Sequence, residues 1–363
     1  MVISSIKSLI YTLALFLVVP LASKGQQLIN RTIELQGEER EYLVYLPRGF
    51  SNAESLPAVF CFHGGDGYAE SMMRFTADFR PLADQHKFIA IYPQGLVFGA
   101  KGTSATNWNY KGPYDNGIDE IAFVEAMIES VTSDYSVDNR RVFACGFSQG
   151  GNLMWDYASL LGDRFAAVAS VAASMWQWTY DDFTPIEKIG VLTIHGTNDF
   201  YNPYTGNQYS ISMDRLNRYW VEINGSEETA SSSQYARGVT QYVWQGAEDC
   251  HSVEHFRVQG GLHGWPSFSE RVIWEFFSKY DIDGLIDCRE PISIKIDSYD
   301  LSRKELVVNI ENLVSGNFEI RKSTGGEFYS FDPIIDINEN TQFPLRIGNV
   351  TEQALMIQLW EKP

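Results

Sequence analysis

Basic residues, cysteine and histidine are scarce in this 363-residue chain. Lysine and arginine together number 28 against 46 aspartates and glutamates, which gives a formal net charge of −18. Nucleic acid and anionic membrane surfaces repel so acidic a protein, so we expect neither as a partner. The 4 cysteines and 6 histidines lack the spacing of a zinc site, and residues 281–284 fall short of a calcium loop. We therefore expect no metal and no cofactor.

A long apolar run is also missing. The longest one, residues 9–21, has about thirteen residues, whereas a transmembrane helix needs roughly 20. Lys7 precedes this run, and the small residues Ser23 and Gly25 follow it, which is typical of a signal peptide. We predict that residues 1–25 are a signal peptide and that the protein is secreted or periplasmic, with no membrane attachment after cleavage. A retained signal anchor is the alternative.

Short apolar runs alternate with helical patterns along most of the chain. The strand-like runs lie at 28–35, 41–46, 58–62, 88–92, 142–145, 166–171 and 191–194. The helical patterns lie at 70–85, 120–134, 152–161 and 213–223. The first two runs alternate apolar with polar residues, as half-exposed antiparallel strands do, and the others are continuously apolar, as buried parallel strands are. The alternation predicts an α/β fold, a mostly parallel sheet flanked by helices.

The pattern changes near residue 288. Beyond it, strand-like pieces follow one another without a convincing helical pattern between them, at 292–296, 305–310, 317–321, 343–347 and 355–360. We therefore predict three parts: a signal peptide (1–25), an α/β catalytic domain (26–288) and a small C-terminal β-sandwich-like domain (289–363).

One glycine-rich turn has the form of a nucleophile elbow. Residues 146–150 read G-F-S-Q-G, after the apolar run at 142–145 and before the helical pattern at 152–161. The serine of an elbow sits on a cramped turn, so the residues two positions away must be small. The helix that follows points its N-terminal amides at the serine, where an oxyanion develops. The context predicts that Ser148 is a catalytic nucleophile, and an idle serine in a glycine-rich turn is the alternative.

A serine nucleophile needs a base to take its proton and an acid to orient that base. Among the histidines, His263 lies in a loop between the last strand-like run of this domain, at 254–258, and its last helical pattern, at 268–280, where the loop can fold over the elbow. Asp199 follows a buried strand at a short distance, whereas Asp181 and Asp182 are rival acids in a longer loop. The chain order of Ser148, Asp199 and His263 is that of the α/β-hydrolase fold.

The negative charge of a tetrahedral intermediate needs two backbone donors. One should be the amide of Gln149, the residue after the nucleophile. The other should come from the glycine-rich turn after the third strand, where we favour Gly65 over Gly64 because glycine lets the backbone approach a substrate carbonyl. A plain turn is the alternative.

A set of ordered motifs resembles one family of esterases. They read HGG at 63–65, YPQG at 92–95, NWN at 107–109, GIDEIAFV at 117–124, CGFSQGG at 145–151, HGTND at 195–199 and GGLHGWP at 260–266. Over roughly residues 40–280 the chain is similar to secreted esterases of the polyhydroxybutyrate depolymerase and feruloyl esterase group, in carbohydrate esterase family 1. The resemblance implies the same roles for Ser148, Asp199, His263 and the 63–65 turn. It also implies that Asp119 starts a structural helix.

Two of the cysteines are candidates for a disulfide. Cys250 precedes the last strand and Cys288 follows the last helix, so both should reach the bottom of the sheet, and an exported protein permits oxidation. We predict a Cys250–Cys288 bond, although relatives often have a cysteine at the position of Ser226, which leaves the partner of Cys250 open. Cys61 and Cys145 lie in apolar runs and are expected to be buried free thiols.

Aromatic residues are concentrated in the loops that follow the predicted strands. We expect Trp108, Trp176, Tyr201 and Trp265 to contact the substrate. Such aromatics suit either sugar stacking or an aromatic acyl group.

The predicted function is an exported serine carboxylic-ester hydrolase, similar to feruloyl and acetyl esterases, that acts on ester-decorated plant polysaccharide. A polyhydroxyalkanoate depolymerase is the first alternative, and a serine peptidase of the same fold is another. A non-catalytic binding protein on this scaffold is an alternative of a different class. The complete set of Ser148, Asp199 and His263 argues against it, since a binding protein has no need of all three.

Overall fold

The structure is a computed structural model, and it describes residues 27–97, 106–110, 117–246 and 250–288, together with six strands between residues 293 and 361. Ten strands form the main sheet. In chain order they are β1 Gln27–Leu35, β2 Glu38–Leu46, β3 Leu56–Phe62, β4 Ile89–Pro93, β5 Val137–Phe147, β6 Ala167–Val171, β7 Gly190–Gly196, β8 Ser231–Ala236, β9 Val239–Trp244 and β10 Val253–Val258. The predicted signal peptide lies outside the described residues.

Seven α-helices accompany the sheet within the described residues. They are α1 Ala69–Ser71, α2 Arg80–His86, α3 Glu120–Asp134, α4 Gln149–Leu160, α5 Gln177–Asp182, α6 Met213–Asn224 and α7 Ser269–Phe277. A π-helical turn, Met72–Thr76, continues α1, and a 3₁₀ turn covers Ile286–Cys288. Two short ribbons pair Leu96–Val97 with Thr106–Asn107 and Tyr280–Asp281 with Gly284–Leu285. In the part of the chain that the structure describes, no helix is long and apolar enough to cross a membrane.

The sheet has a parallel centre and antiparallel edges. Its strand order is β1-β2-β4-β3-β5-β6-β7-β10-β9-β8. The six central strands run parallel, and the hairpins β1–β2 and β8–β9 add antiparallel strands at the two edges. Because parallel strands end at the same edge, the loops after β3, β5, β7 and β10 can meet there. This architecture confirms the predicted mostly parallel sheet.

Apolar side chains cover both faces of the sheet. Every residue of β3, β6 and β7 is buried, as their continuously apolar sequences predict. Residues of α3, α4 and α6 pack on one face, and residues of α1, α2 and α7 pack on the other. The central strands are therefore a rigid support for the loops at their ends.

The predicted helix at 70–85 is broken in the structure. Between the π-helical turn and α2, the Tyr92 hydroxyl accepts a hydrogen bond from Phe79 N (3.0 Å) and donates one to Ala77 O (3.0 Å). These bonds satisfy backbone groups that a continuous helix would have paired internally. Pro81 lacks an N–H and lies in the first turn of α2, where that group would have no partner within the helix.

Strands β8 and β9 are not among the predicted strands, and the sequence of β8 is mostly polar. The residues of β8 are nearly all exposed, and this strand lies at the edge of the sheet, where it needs few apolar side chains. The short turn between β8 and β9 contains Gly238, whose φ of 74° is in the left-handed region.

All of the described elements after residue 292 are strands. They form two three-stranded sheets, one of Ser293–Asp300, Glu305–Glu311 and Leu345–Ile347 and one of Phe318–Ser323, Asp332–Ile337 and Met356–Glu361. Strand Asp332–Ile337 has no counterpart among the predicted pieces. The domain division at residue 289 stays a prediction.

The cysteines fall into two kinds. Cys250 and Cys288 form a disulfide with a Cα–Cα distance of 5.5 Å. The Ser226 hydroxyl donates a hydrogen bond to His251 O at 2.7 Å. Cys61 and Cys145 are buried free thiols at facing positions on β3 and β5.

Candidate active site

Ser148 lies on the sharp turn between β5 and α4. Its φ of 52° and ψ of −117° are unfavourable for a residue with a side chain and cost roughly 1–3 kcal/mol. A Cβ on Gly146 would lie 2.2 Å from Gly150 O, and a Cβ on Gly150 would lie 2.4 Å from Phe62 O. The turn therefore closes only because both positions are glycine, and it holds the Ser148 hydroxyl at the end of β5.

Ser148, His263 and Asp199 form a continuous chain of hydrogen bonds. His263 Nε2 lies 2.9 Å from Ser148 Oγ, and His263 Nδ1 lies 2.8 Å from Asp199 Oδ2. An ionised carboxylate only accepts, so Nδ1 carries the proton and Nε2 of the neutral ring is free to accept one from serine. The three side chains come from the loops after β5, β7 and β10, as the sequence predicts.

Asp199 is fixed by its own loop. Its Oδ1 accepts the backbone N–H groups of Tyr201 and Asn202, both at 2.9 Å, and its side chain has no solvent exposure. Three hydrogen bonds in total thus satisfy a buried charge that would otherwise be costly. Asp181 and Asp182, the rival acids, lie exposed in α5.

His195 holds the loop that contains Asp199 and Asn202. It is 1% exposed, and its Nε2–H donates to Asn202 O at 2.7 Å, while the same nitrogen lies 3.5 Å from Asp199 Oδ2. Burial lowers the pKa of His195, so the ring is neutral near pH 7. The His195 ring is therefore an uncharged neighbour of Asp199, and His263 is the imidazole that Asp199 orients as a base.

Two aromatic rings flank the imidazole of His263. The Phe147 ring lies 5.2 Å from it and the Tyr201 ring 5.1 Å from it, as centroid distances. Trp265 contacts Phe147 with an edge-on geometry at 6.3 Å. These contacts limit the rotation of the His263 ring.

The turn after β3 lies against the nucleophile. A Cβ on Gly65 would lie 3.0 Å from the Gln149 side chain, and a Cβ on Gly64 would lie 3.3 Å from Ser148 Cβ. Among the described residues, none accepts a hydrogen bond from the backbone N–H of Gly65 or of Gln149. Both amides are available to an incoming oxygen.

His63 locks this turn, a role that the sequence analysis did not assign. Its Nδ1–H donates to Gly64 O at 2.7 Å, and its Nε2 accepts from Gly95 N at 2.9 Å. Burial lowers the pKa of His63 to about 4, so it stays neutral and keeps both roles. His63 belongs to the HGG motif and Gly95 to the YPQG motif. The role of His63 was missed because the sequence does not show that these two motifs are close together in the fold.

Trp108 is a buried support rather than a side chain on the substrate surface. It is 1% exposed, its Nε1–H donates to His63 O at 2.7 Å, and its ring packs 4.6 Å from the His63 ring. This placement differs from the expected contact with substrate. The loop position suggested exposure, but the indole fills the space beneath the 63–65 turn.

A buried ion pair connects the NWN motif (107–109) with the GIDEIAFV motif (117–124). Arg40 Nη2 lies 2.7 Å from Glu120 Oε2, both side chains are almost completely buried, and Glu120 Oε1 accepts from Asn109 N at 3.2 Å. Burial raises the pKa of Glu120, and Arg40 opposes that rise. Asp119 caps α3 by accepting from Ile121 N and Ala122 N, both at 3.1 Å, which matches the structural role that the resemblance implies.

Trp176, which is also predicted to contact the substrate, lies in an aromatic cluster beside the elbow. Trp176 and Trp178 are half-buried and stacked 5.0 Å apart, and Tyr110 meets Trp176 edge-on at 5.6 Å. The Tyr110 hydroxyl donates to Gln149 O at 3.2 Å, which places this cluster close to the nucleophile.

Among the described residues, no group of three or more His, Cys, Asp or Glu side chains could hold a metal ion.

Comparison with known proteins identifies the family. The family described as Esterase PHB depolymerase matches residues 40–181. The chain is 30% identical over 263 residues to a probable feruloyl esterase C of Aspergillus clavatus, covering 70% of this chain and 88% of the relative. The chain belongs to this family of serine esterases.

One further relative and one solved structure are acetylxylan esterases by name. The chain is 25% identical over 259 residues to the bifunctional acetylxylan esterase/xylanase XynS20E of Neocallimastix patriciarum, matching 70% of this chain but only 36% of that larger protein. The solved acetyl xylan esterase from Aspergillus awamori superposes with a TM-score of 0.52 at 15% identity, over 69% of this chain and 99% of that one. The latter likeness concerns the fold, and it confirms the predicted α/β-hydrolase class for this esterase.

Proposed function

We propose that this esterase hydrolyses feruloyl or acetyl esters on plant xylan, with Ser148 as nucleophile, His263 as general base and acid, and Asp199 as the group that orients it. The observation that carries the proposal is the continuous relay, at 2.9 and 2.8 Å, on a strained elbow. The names of the relatives, feruloyl esterase C and acetylxylan esterase/xylanase, support the acyl and polymer classes.

Acylation begins at the Ser148 hydroxyl. His263 Nε2 takes its proton while Oγ attacks the ester carbonyl, and the carbonyl oxygen becomes an oxyanion. The backbone amides of Gln149 and Gly65, with Gly64 as the neighbouring candidate, donate hydrogen bonds to that oxyanion. As the intermediate collapses, the C–O bond to the alcohol breaks, and His263 returns its proton to the departing oxygen.

Deacylation repeats the sequence with water. His263 takes a proton from water, the hydroxide oxygen attacks the acyl carbon, and Ser148 leaves with the proton from Nε2. The products are the free acid and the regenerated serine. The stacked pair Trp176 and Trp178, next to Tyr110, supplies an apolar surface for the acyl group beside the elbow.

Xylan lies outside the producing cell, so this function requires export. The pattern of residues 1–25 fits a cleavable signal peptide, and we propose that the esterase acts as a secreted or periplasmic enzyme. N-terminal sequencing of the protein recovered from the culture medium or periplasm tests this: we expect a start near Gln26, and a retained Met1 would refute it.

Four esters separate the candidate substrates: p-nitrophenyl acetate, methyl ferulate, acetylxylan and polyhydroxybutyrate. We expect turnover of the first compound and of at least one of the two plant-type esters, and loss of roughly 10⁴-fold or more in kcat for Ser148→Ala. An unchanged melting temperature for Ser148→Ala controls for folding. Turnover of polyhydroxybutyrate alone would establish the polyester alternative, and no turnover of any ester would leave the binding-protein alternative.

A further inference from the structure

Three large apolar side chains next to the candidate catalytic residues are mostly in water. Phe200 and Tyr201 are each 68% exposed, and Leu262 is 65% exposed. Phe200 directly follows Asp199 in the chain, and Leu262 directly precedes His263. Single exposed apolar residues are ordinary, but three that flank the acid and base of one site point to a bound ligand.

The loops that carry these side chains are held together rigidly. Asn198 N donates to Gly261 O at 2.9 Å, and Gly260 N donates to Thr197 Oγ1 at 2.7 Å. A Cβ on Gly196 would lie 2.3 Å from Gly261 O, so the two loops are in backbone contact. The exposed side chains are therefore presented by a preformed support, and little ordering entropy is lost when a ligand binds.

The exposed aromatic rings of Tyr201 and Phe200 follow one another outward from His263, the proposed general base. The Tyr201 ring lies 5.1 Å from the His263 ring, and the Phe200 ring lies 4.4 Å from Tyr201 at an interplanar angle of 34°. The Trp176–Trp178 pair is a separate contact set, linked to the elbow through Tyr110 and Gln149. The two apolar surfaces are therefore made of different residues, and each could contact a different part of one ester.

His263 determines which part each surface serves. The imidazole that takes the serine proton must pass it to the departing alcohol oxygen, so the alcohol lies on the His263 side of the carbonyl. We propose that Phe200, Tyr201 and Leu262 form a leaving-group platform that binds the sugar carrying the ester, through the C–H face of its ring. Aromatic rings present large, rigid apolar surfaces for such a face. This inference rests on the proposed function and adds the recognition of the alcohol.

Two esters with one acyl group and different alcohols test the platform. Methyl ferulate has no sugar, whereas feruloyl-arabinofuranose has one. For Phe200→Ala and Leu262→Ala combined, we expect kcat/KM on the sugar ester to fall roughly tenfold, about 1.4 kcal/mol, with less than about a twofold change on methyl ferulate. If the wild type accepts acetyl groups only, ethyl acetate and acetylated xylo-oligosaccharides replace this pair.

Phe75→Ala is the matched control, because Phe75 is 84% exposed on the π-helical turn Met72–Thr76, outside both platform loops. It should leave both rates unchanged. An equal loss on both esters in the platform variant would overturn the inference, since it would mean an effect through His263, and so would no loss on either. Turnover of neither ester pair by the wild type would instead overturn the proposed function itself. Melting temperatures verify that each variant is folded.

Discussion

Asp199→Asn should inactivate this esterase without unfolding it, because the two oxygens of Asp199 have different partners. Oδ1 accepts two backbone N–H groups, from Tyr201 and Asn202, and Oδ2 accepts Nδ1–H of His263. An asparagine in the same place has only one acceptor oxygen. That oxygen is required at the Oδ1 position, because an NH₂ group there would face two donors.

The NH₂ group of the substituted side chain would then point at His263. An NH₂ group donates, so Nδ1 of the ring must accept and the ring proton moves to Nε2. Nε2–H faces the Ser148 hydroxyl at the 2.9 Å contact and has no lone pair left to take its proton. The variant therefore holds the wrong tautomer, and we expect kcat to fall roughly 10³- to 10⁴-fold.

Initial rates of p-nitrophenyl acetate hydrolysis, with and without the substitution, measure this loss. The melting temperature should change little, because the two hydrogen bonds of Oδ1 are retained. Asp182→Asn is the matched control: it makes the same chemical change at an exposed position of α5 and should leave kcat near the wild-type value. A large loss with Asp182→Asn and a near-silent Asp199→Asn would refute the assignment of the acid.

Three more predictions concern stability and domain organisation. Changing Cys250 and Cys288 together to serine should lower the urea-unfolding free energy by roughly 4 kcal/mol, the loop-entropy value for a sequence separation of 38, and an unchanged midpoint would contradict this. Burial lowers the pKa of His63 to about 4, so between pH 6.5 and 4 the unfolded chain binds a proton at this residue that the folded one does not. The contribution of His63 to stability should therefore fall by roughly 3 kcal/mol as the pH drops through that window. Urea unfolding of His63→Asn should depend less on pH there, and an equal dependence would argue against the buried neutral ring. Removing residues 289–363 should leave p-nitrophenyl acetate hydrolysis within about twofold, since all proposed catalytic residues precede them, whereas insoluble protein would show that they pack as part of the hydrolase.

Much of the candidate site could be predicted from sequence because its constraints are local. The turn at Ser148 closes within five residues and requires glycine two positions before and two positions after the serine. The elbow can therefore be recognised from five consecutive residues. The approximate positions of Asp199 and His263 follow from a second rule, that loops after parallel strands meet at one edge of the sheet. Both rules need only the order of strands and helices.

The contacts between distant segments were decided by the tertiary structure. The roles of His63 and Trp108 depend on a hydrogen bond and a ring contact between motifs about forty-five residues apart, and their letters alone do not say which side faces the core. The break in the predicted helix at 70–85 depends on the Tyr92 hydroxyl, which comes from a neighbouring strand.

The same limit applies to the surfaces around the site. Phe200 and Leu262 read as ordinary apolar residues in their loops, and only the folded chain leaves both of them exposed beside Asp199 and His263. Hydrophobic periodicity reports how an element buries its own face, whereas exposure in a loop depends on what other segments cover it. The sequence by itself therefore determined the class of fold and the candidate catalytic residues, while the packing of separate loops decided which side chains support the site and which stay exposed.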